Sequence, residues 1–169
     1  ERNSLKINEL PLNFVGALEF IPGGYDMNFV LESFDANLKD MISLIPKEFF
    51  SGFEQTKFGG KGNIVGSLQG LYLPLENNFP ALAFNLSLQD GIISNSPSSP
   101  AIENLAARVN LRIPNLNPDL VVLDIDSLGF DLGSGFLRGE LHLENLESMI
   151  LNSDMEASLN LAELHDALG

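Results

Sequence analysis

Residues 10–20 read LPLNFVGALEF, a segment in which large apolar side chains recur at every second position. The even positions include Leu10, Leu12, Phe14, Leu18 and Phe20, and the odd positions include polar residues. A β-strand directs successive side chains to opposite faces, so this period of two predicts an extended strand with one apolar face. Because the pattern recurs along the chain, it decides the fold class.

The same alternation returns in three later segments, at residues 82–88, 105–113 and 137–143. In each segment the apolar residues share one face, and polar side chains take several positions of the other. Half-buried antiparallel strands have this pattern, with one face packed and one face wet. The sequence therefore predicts a mainly β fold, with a long antiparallel sheet.

Two stretches depart from plain alternation and predict bending. Ile125 closes an odd-numbered apolar series and Leu128 opens an even-numbered one, so a β-bulge at Ser127 would keep both series on one face. Within residues 62–72, glycine takes every second position of one face, alternating with large apolar residues. This spacing leaves room for strong curvature or for a group packed close to the backbone. A bent strand in an ordinary barrel or sandwich explains it equally well.

One helix stands out among these strands. From Ala36 to Phe53 the apolar residues follow a spacing of 3.6, Asp35 is a suitable N-cap, and Pro46 is expected to kink or end the helix. With a terminal helical stretch, the chain is expected to contain one or two short helices. Loops are predicted where proline, glycine and asparagine cluster, at residues 22–24, 59–60, 95–100 and 115–118.

An internal similarity links residues 36–42, ANLKDMI, with residues 162–168, AELHDAL. The shared Ala, Leu and Asp could reflect a repeat, or the chance likeness of two helix starts. On the repeat interpretation, residues 1–169 form a single β-groove segment of a longer chain, and a second repeat starts within residues 154–169.

The composition excludes several classes of function. The net charge of −14 would repel nucleic-acid phosphates and anionic lipid surfaces, so we expect no nucleic-acid partner. The absence of cysteine rules out disulfides and thiolate sites, as in many exported and many cytosolic proteins. Apolar runs such as Leu120–Leu123 are far shorter than a membrane-spanning helix requires.

Few residues are candidates for catalysis or metal binding. His142, on the polar face of a strand, and His165, in the terminal helical stretch, lack the spacing of a zinc site and are interpreted as solvated. Asp124 and Asp126 share the other face of their strand and could serve glycoside hydrolysis or bind Ca²⁺, but no calcium loop surrounds them. We therefore predict a non-enzymatic protein with no catalytic residue, cofactor or metal.

The order of the elements adds a resemblance to a known family. A helix near residues 36–45 is followed by a glycine-rich strand at residues 59–70, and then by FPALAFNLSLQDG at residues 79–91. Farther along come GSGFLRGEL at residues 133–141 and LNLAEL at residues 159–164. This succession resembles the C-terminal region of AsmA-like proteins, in which a Gly-x-Ile-x-Gly stretch leads through a proline-containing turn into a strand ending in Asp-Gly. The resemblance covers most of the chain.

This resemblance implies a shape and a role. AsmA-like proteins are similar to bridge-like lipid-transfer proteins, whose strongly curved sheets form a groove or half-barrel lined with apolar side chains. The resemblance implies a periplasmic location, with an inner-membrane anchor outside residues 1–169. It also implies phospholipid movement toward the outer membrane, a part in outer-membrane biogenesis, and protein partners in the cell envelope. No catalytic residues come with the family.

On this interpretation, phospholipid acyl chains contact the apolar residues of the alternating strands. The twelve candidates are Phe14, Phe29, Leu31, Leu82, Phe84, Leu86, Val109, Leu111, Leu123, Ile125, Leu141 and Leu143. Two other classes compete with it: a self-contained β-sandwich or barrel used for binding or adhesion, and a structural module without a ligand. Polysaccharide sites usually display exposed aromatic residues, whereas this chain has no Trp and only Tyr25 and Tyr72.

Overall fold

The alternating segments form one sheet of nine strands. The computed structural model describes residues 3–43, 56–95 and 100–168. The strands are β1 (Asn3–Ile7), β2 (Leu10–Ile21), β3 (Gly24–Asn37), β4 (Lys57–Tyr72), β5 (Ala81–Ser94), β6 (Ile102–Ile113), β7 (Val122–Leu132), β8 (Gly135–Glu144) and β9 (Ile150–Ser158). Each strand pairs antiparallel with the next strand in the sequence, which gives the spatial order β1 to β9.

The sheet is open, because β1 and β9 form its two edges and do not pair with each other. The prediction of a mainly β, antiparallel fold is confirmed. A β-sandwich needs two packed sheets, whereas all nine strands of the described residues belong to the same one. The nine strands therefore form one continuous open sheet with two faces.

Two short helices lie at one end of this sheet. They are α1 (Leu38–Ile42), which follows β3, and α2 (Leu161–Leu168), which follows β9. Because alternate strands run in the same direction, both helices leave the sheet at the same end, here called the helix end. Connections at the opposite end, here called the loop end, comprise residues 22–23, 73–80, 114–121 and 145–149.

The bulge expected at Ser127 is confirmed. Between Ile125 and Leu128 the pairing with β8 skips from Leu141 to Gly139, so β7 contains one extra residue there. The register also shifts between β3 and β4, between β4 and β5, and between β5 and β6. Bulged strands bend and twist more strongly than regular ones, so these irregularities curve the sheet.

The helix prediction was wrong at its N-terminus. Strand β3 continues to Asn37, and α1 begins at Leu38 without a side-chain cap. Asp35, the expected N-cap, lies inside β3 with a φ of 54°. Its backbone N–H donates to Oδ1 of Asn63. Pairing of residues 36–37 with β4 keeps this segment extended. From position 44 onward, the rest of the predicted helix, including Pro46, lies outside the described residues.

The loop predicted at residues 59–60 was also wrong, because both glycines lie within β4. Gly60 has a φ of 105° and sits where the register between β4 and β5 shifts. Glycine adopts positive φ at little cost, so it marks a bulge here instead of a turn. The loops expected at residues 22–24 and 115–118 are present, except that Gly24 already begins β3.

The best-buried residues lie where α1 covers the sheet. Met41 of α1 packs with Leu10, Leu12, Ala36 and Ile64, and Leu10 is fully buried. A smaller cluster forms around Ile102 and Leu132, and Leu159 packs against it just before α2 begins. Helix α1 and Leu159 therefore cover parts of the helix end of the sheet, where both buried clusters lie.

The glycines of β4 serve two different purposes. A Cβ at Gly62 would lie 2.5 Å from the backbone oxygen of Ser87 and 2.9 Å from Cε of Met41, so this glycine allows both β5 and α1 to approach closely. At Gly66 a Cβ would meet only ordinary contacts of 3.9 Å, with Leu31 and Phe84 among its neighbours. The absence of a side chain at Gly66 therefore leaves space on that face of the sheet.

Candidate functional site: the apolar face

The pairing register aligns the predicted lipid-binding residues in rows that cross the strands. The first, here called the central row, holds six of the twelve candidates. In order from β2 to β9 it contains Phe14, Leu31, Gly66, Phe84, Leu111, Leu123, Leu143 and Leu151. Directly paired residues in a sheet point to the same face, so these side chains form one continuous track.

The other six candidates lie in the two rows that flank the central row. Toward the helix end, the flanking row from β4 to β8 contains Ile64, Leu86, Val109, Ile125 and Leu141. Toward the loop end, the other flanking row from β2 to β6 contains Gly16, Phe29, Leu68, Leu82 and Ile113. All twelve candidates therefore share one face, here called the apolar face.

All twelve side chains are half-buried: none is buried and none is fully exposed. Neighbouring side chains and the curvature of the sheet shelter them. In the described residues no second sheet lies on top of them, but Phe84 and Leu86 pack against the buried cluster beneath α1. The rows therefore combine an apolar surface with partial access from outside the molecule, except at Ile64 and Gly66, which are buried.

The three rows contain no Asp, Glu, Lys, Arg or His. From β2 to β8 the central row crosses six strand spacings of about 4.8 Å, or roughly 29 Å along the sheet. One leaflet of a bilayer has a hydrocarbon thickness of about 15 Å. An extended acyl chain laid along the row would therefore meet only apolar side chains and glycine.

Sequence reasoning missed several members of this surface. Ile64 and Leu68 complete the rows at β4, and Leu151 extends the central row into β9. The period of two in residues 62–72 was the signal for the first two, but the intervening glycines drew attention to curvature instead. Leu151 was missed because β9 is short of apolar residues.

Aromatic side chains extend the apolar face at the loop end. The rings of Phe20 and Tyr25 are 5.4 Å apart, those of Tyr25 and Tyr72 are 6.1 Å apart, and those of Tyr72 and Phe79 are 5.7 Å apart. Phe20 is 78% exposed. This aromatic group therefore forms an accessible rim beside the first three long strands.

The opposite, polar face holds the charged residues singled out in the sequence. The prediction that His142 is simply solvated was incomplete, because two carboxylates contact its ring. Its Nδ1 lies 2.5 Å from Oδ1 of Asp124, and its Nε2 lies 3.0 Å from Oε1 of Glu144. Glu144 lies two residues farther along β8 on the same face, and Asp124 is the residue of β7 that pairs directly with His142. The hydrogen bond with Asp124, and then that with Glu144, raises the pKa of His142 above its ordinary value.

The carboxylates of Asp124 and Asp126 both contact neighbouring side chains. Asp124 contacts His142 and lies 3.9 Å from Arg112, and Nδ2 of Asn110 donates to Asp126 at 2.6 Å. No group of three or more His, Asp or Glu side chains suited to a metal ion occurs in residues 3–43, 56–95 and 100–168. In that same part of the chain, no helix combines the length and apolar character needed to cross a bilayer.

Comparisons with other proteins do not extend these observations. No family model, curated protein or solved structure matches the chain.

The histidine on the polar face leads to a prediction about pH. Because its folded pKa is raised above the ordinary 6.5, its stabilising contribution is complete below that value and is lost as pH rises through the folded pKa. As pH rises above about 6.5 and through the raised folded pKa, we expect the free energy of unfolding to fall more steeply in the wild type than in His142→Gln. Urea denaturation at several pH values measures the free energy of unfolding of both proteins. If that free energy fell equally with pH in the wild type and in His142→Gln, the prediction would be contradicted.

Proposed function

We propose that the apolar face holds phospholipid acyl chains, and that the chain is a non-enzymatic, AsmA-like periplasmic segment acting in lipid transport for outer-membrane biogenesis. One observation supports this most directly: an uncharged, half-exposed track of side chains runs in register across the strands. A core would bury these side chains, and an adhesive polar surface would interrupt them with charge. An inner-membrane anchor outside these residues and envelope protein partners belong to the same proposal.

The energetics of transfer suit a conduit. Burying an acyl chain gains roughly 0.8 kcal/mol per CH₂ relative to water. A bilayer offers nearly the same gain, so moving a chain from bilayer to apolar face is close to neutral. The face then lowers the aqueous barrier without trapping the lipid. Specific headgroup contacts are not required for this step, which is consistent with the uncharged rows.

Blocking the track at Gly66 provides a test of the proposal. In Gly66→Trp the new side chain rises from the centre of the central row, where a Cβ fits without a close contact. We expect the acyl chain to lose contact with the protein over about two CH₂ groups, at roughly 0.8 kcal/mol each. This loss weakens fatty-acid binding by about tenfold. The measurement is the dissociation constant for a fluorescent fatty acid, together with native mass spectrometry of lipid that co-purifies with the protein.

Gly66→Ala is the matched control, because it adds only a methyl group at the same position and should bind nearly as the wild type does. Thermal unfolding of both variants checks that the sheet remains folded. A wild-type protein that is free of lipid and takes up no fatty acid would overturn the proposal. Equal binding by Gly66→Trp and wild type would place the lipid elsewhere.

A further inference from the structure

The two edges of the sheet differ sharply. β1 has only five residues, its Lys6 pairs with Glu9, and Leu5 packs against the buried cluster beneath α1. A short strand with a lysine is a protected edge. By contrast, all nine residues of β9 are exposed. Leu159, which follows β9, packs back against Ile102 and Leu132, so the chain turns away from the edge and leaves β9 open.

An open strand has unused hydrogen-bonding groups. In an antiparallel pair, alternate residues direct their N–H and C=O groups away from the partner strand. β9 pairs only with β8 among the described residues, so its outer row of backbone groups faces solvent. The strand contains no proline, and nothing in its backbone prevents a tenth strand from pairing there.

The side chains of β9 specify what such a strand would look like. Leu151 and Met155 lie on the apolar side and are 50% and 47% exposed. On the polar side Asp154 is paired in register with Glu140, and Glu156 is paired in register with Arg138. Within the described structure neither carboxylate of β9 has an ion-pair partner, since Arg138 is engaged by Asp131. Like charges directly opposite one another are destabilising.

We propose that the outer edge of β9 binds an extended peptide segment of a partner protein in which basic and apolar residues alternate. The added strand would complete the backbone ladder, as in β-strand addition. Its apolar residues would cover Leu151 and Met155. Its basic residues, two positions apart, would lie beside Asp154 and Glu156 and relieve the repulsion with Glu140. A second copy of this chain fits less well, because its net charge is −14.

The test uses a labelled VKVKVKV peptide and the whole chain, with binding followed by fluorescence anisotropy. We expect saturable binding that weakens as salt is raised from about 50 to about 300 mM, because exposed charges are screened. Hydrogen exchange at residues 150–158 should slow on binding, and exchange in β1 should not change. A VVVVKKK peptide, which has the same composition without alternation, should bind about tenfold more weakly.

Two charge variants separate edge recognition from bulk attraction. Asp154→Lys with Glu156→Lys should weaken VKVKVKV binding by about tenfold, because two favourable cross-strand pairs become repulsive. Glu76→Lys with Asp119→Lys changes the net charge equally at exposed loop positions and should have little effect. Equal weakening by both variants, unchanged exchange in β9, or self-association that the peptide does not reverse would overturn the proposal. None of these outcomes depends on fatty-acid uptake, so failure of peptide binding can be distinguished from failure of lipid binding.

Discussion

Replacing Phe84 by aspartate should abolish lipid uptake and should also lower stability, because Phe84 packs against the buried cluster beneath α1. Phe84 lies in the central row between Gly66 and Leu111, and it is half-buried. An acyl chain lying on this row would have to cover a carboxylate that water can otherwise solvate. Removing that solvation costs about 3 kcal/mol, which corresponds to roughly a hundredfold weaker binding. Titration with a fluorescent fatty acid measures the loss.

The next residue provides a control of equal charge. Asn85 is exposed on the polar face of the same strand, so Asn85→Asp adds the same charge one position away. We expect its uptake to match that of the wild type. If both variants lose uptake equally, the added charge acts at long range or disrupts folding, and the acyl chain does not lie along this row. Circular dichroism of both variants distinguishes those two causes.

The largest effect on stability should come from truncating Leu10. Its side chain is fully buried and packs in the cluster where α1 covers β2 and β4. Leu10→Ala removes its packing and leaves a cavity between α1 and the sheet, which lowers the free energy of unfolding by about 3 kcal/mol. Urea denaturation measures the change, and a shifted midpoint with an unchanged slope would show that the native state lost stability.

Leu18 offers the matched comparison, since it lies in the same strand but is 43% exposed. Leu18→Ala should lower the free energy of unfolding by about 1 kcal/mol or less, because much of its surface already contacts water. Similar losses at Leu10 and Leu18 would mean that α1 does not pack on the sheet as described. The same two variants also test where the core ends and the accessible apolar face begins.

The sequence was sufficient for the features that depend on neighbouring residues. Alternation of apolar and polar side chains predicted the antiparallel strands and placed all twelve candidates on one face. The change of parity around Ser127 predicted the bulge, which the pairing of β7 confirms. These predictions succeed because a strand has a fixed side-chain period of two, so a run of residues reveals its own faces.

Other features depend on which strands meet, and the sequence was ambiguous about them. Asp35 has the residue type of an N-cap, yet it lies in a bulge of β3 between Ser33 and Ala36, which both pair with β4. Gly60 has the residue type of a turn, yet it lies within β4, opposite the extra residue that forms a bulge in β5. Local preference was outweighed in both cases by backbone hydrogen bonds to a partner strand that lies far away in the sequence.

The chain's order of residues thus determined its fold class, the apolar side of each strand and the acidic character of the whole. Tertiary structure decided the rest: the rows across the strands, the approach of Met41 to Gly62, the contact of His142 with Asp124, and the exposure of β9. The physical reason is that periodicity is a property of consecutive residues. The pairing register of the strands and the burial or exposure of each surface arise from contacts between residues that only folding brings together.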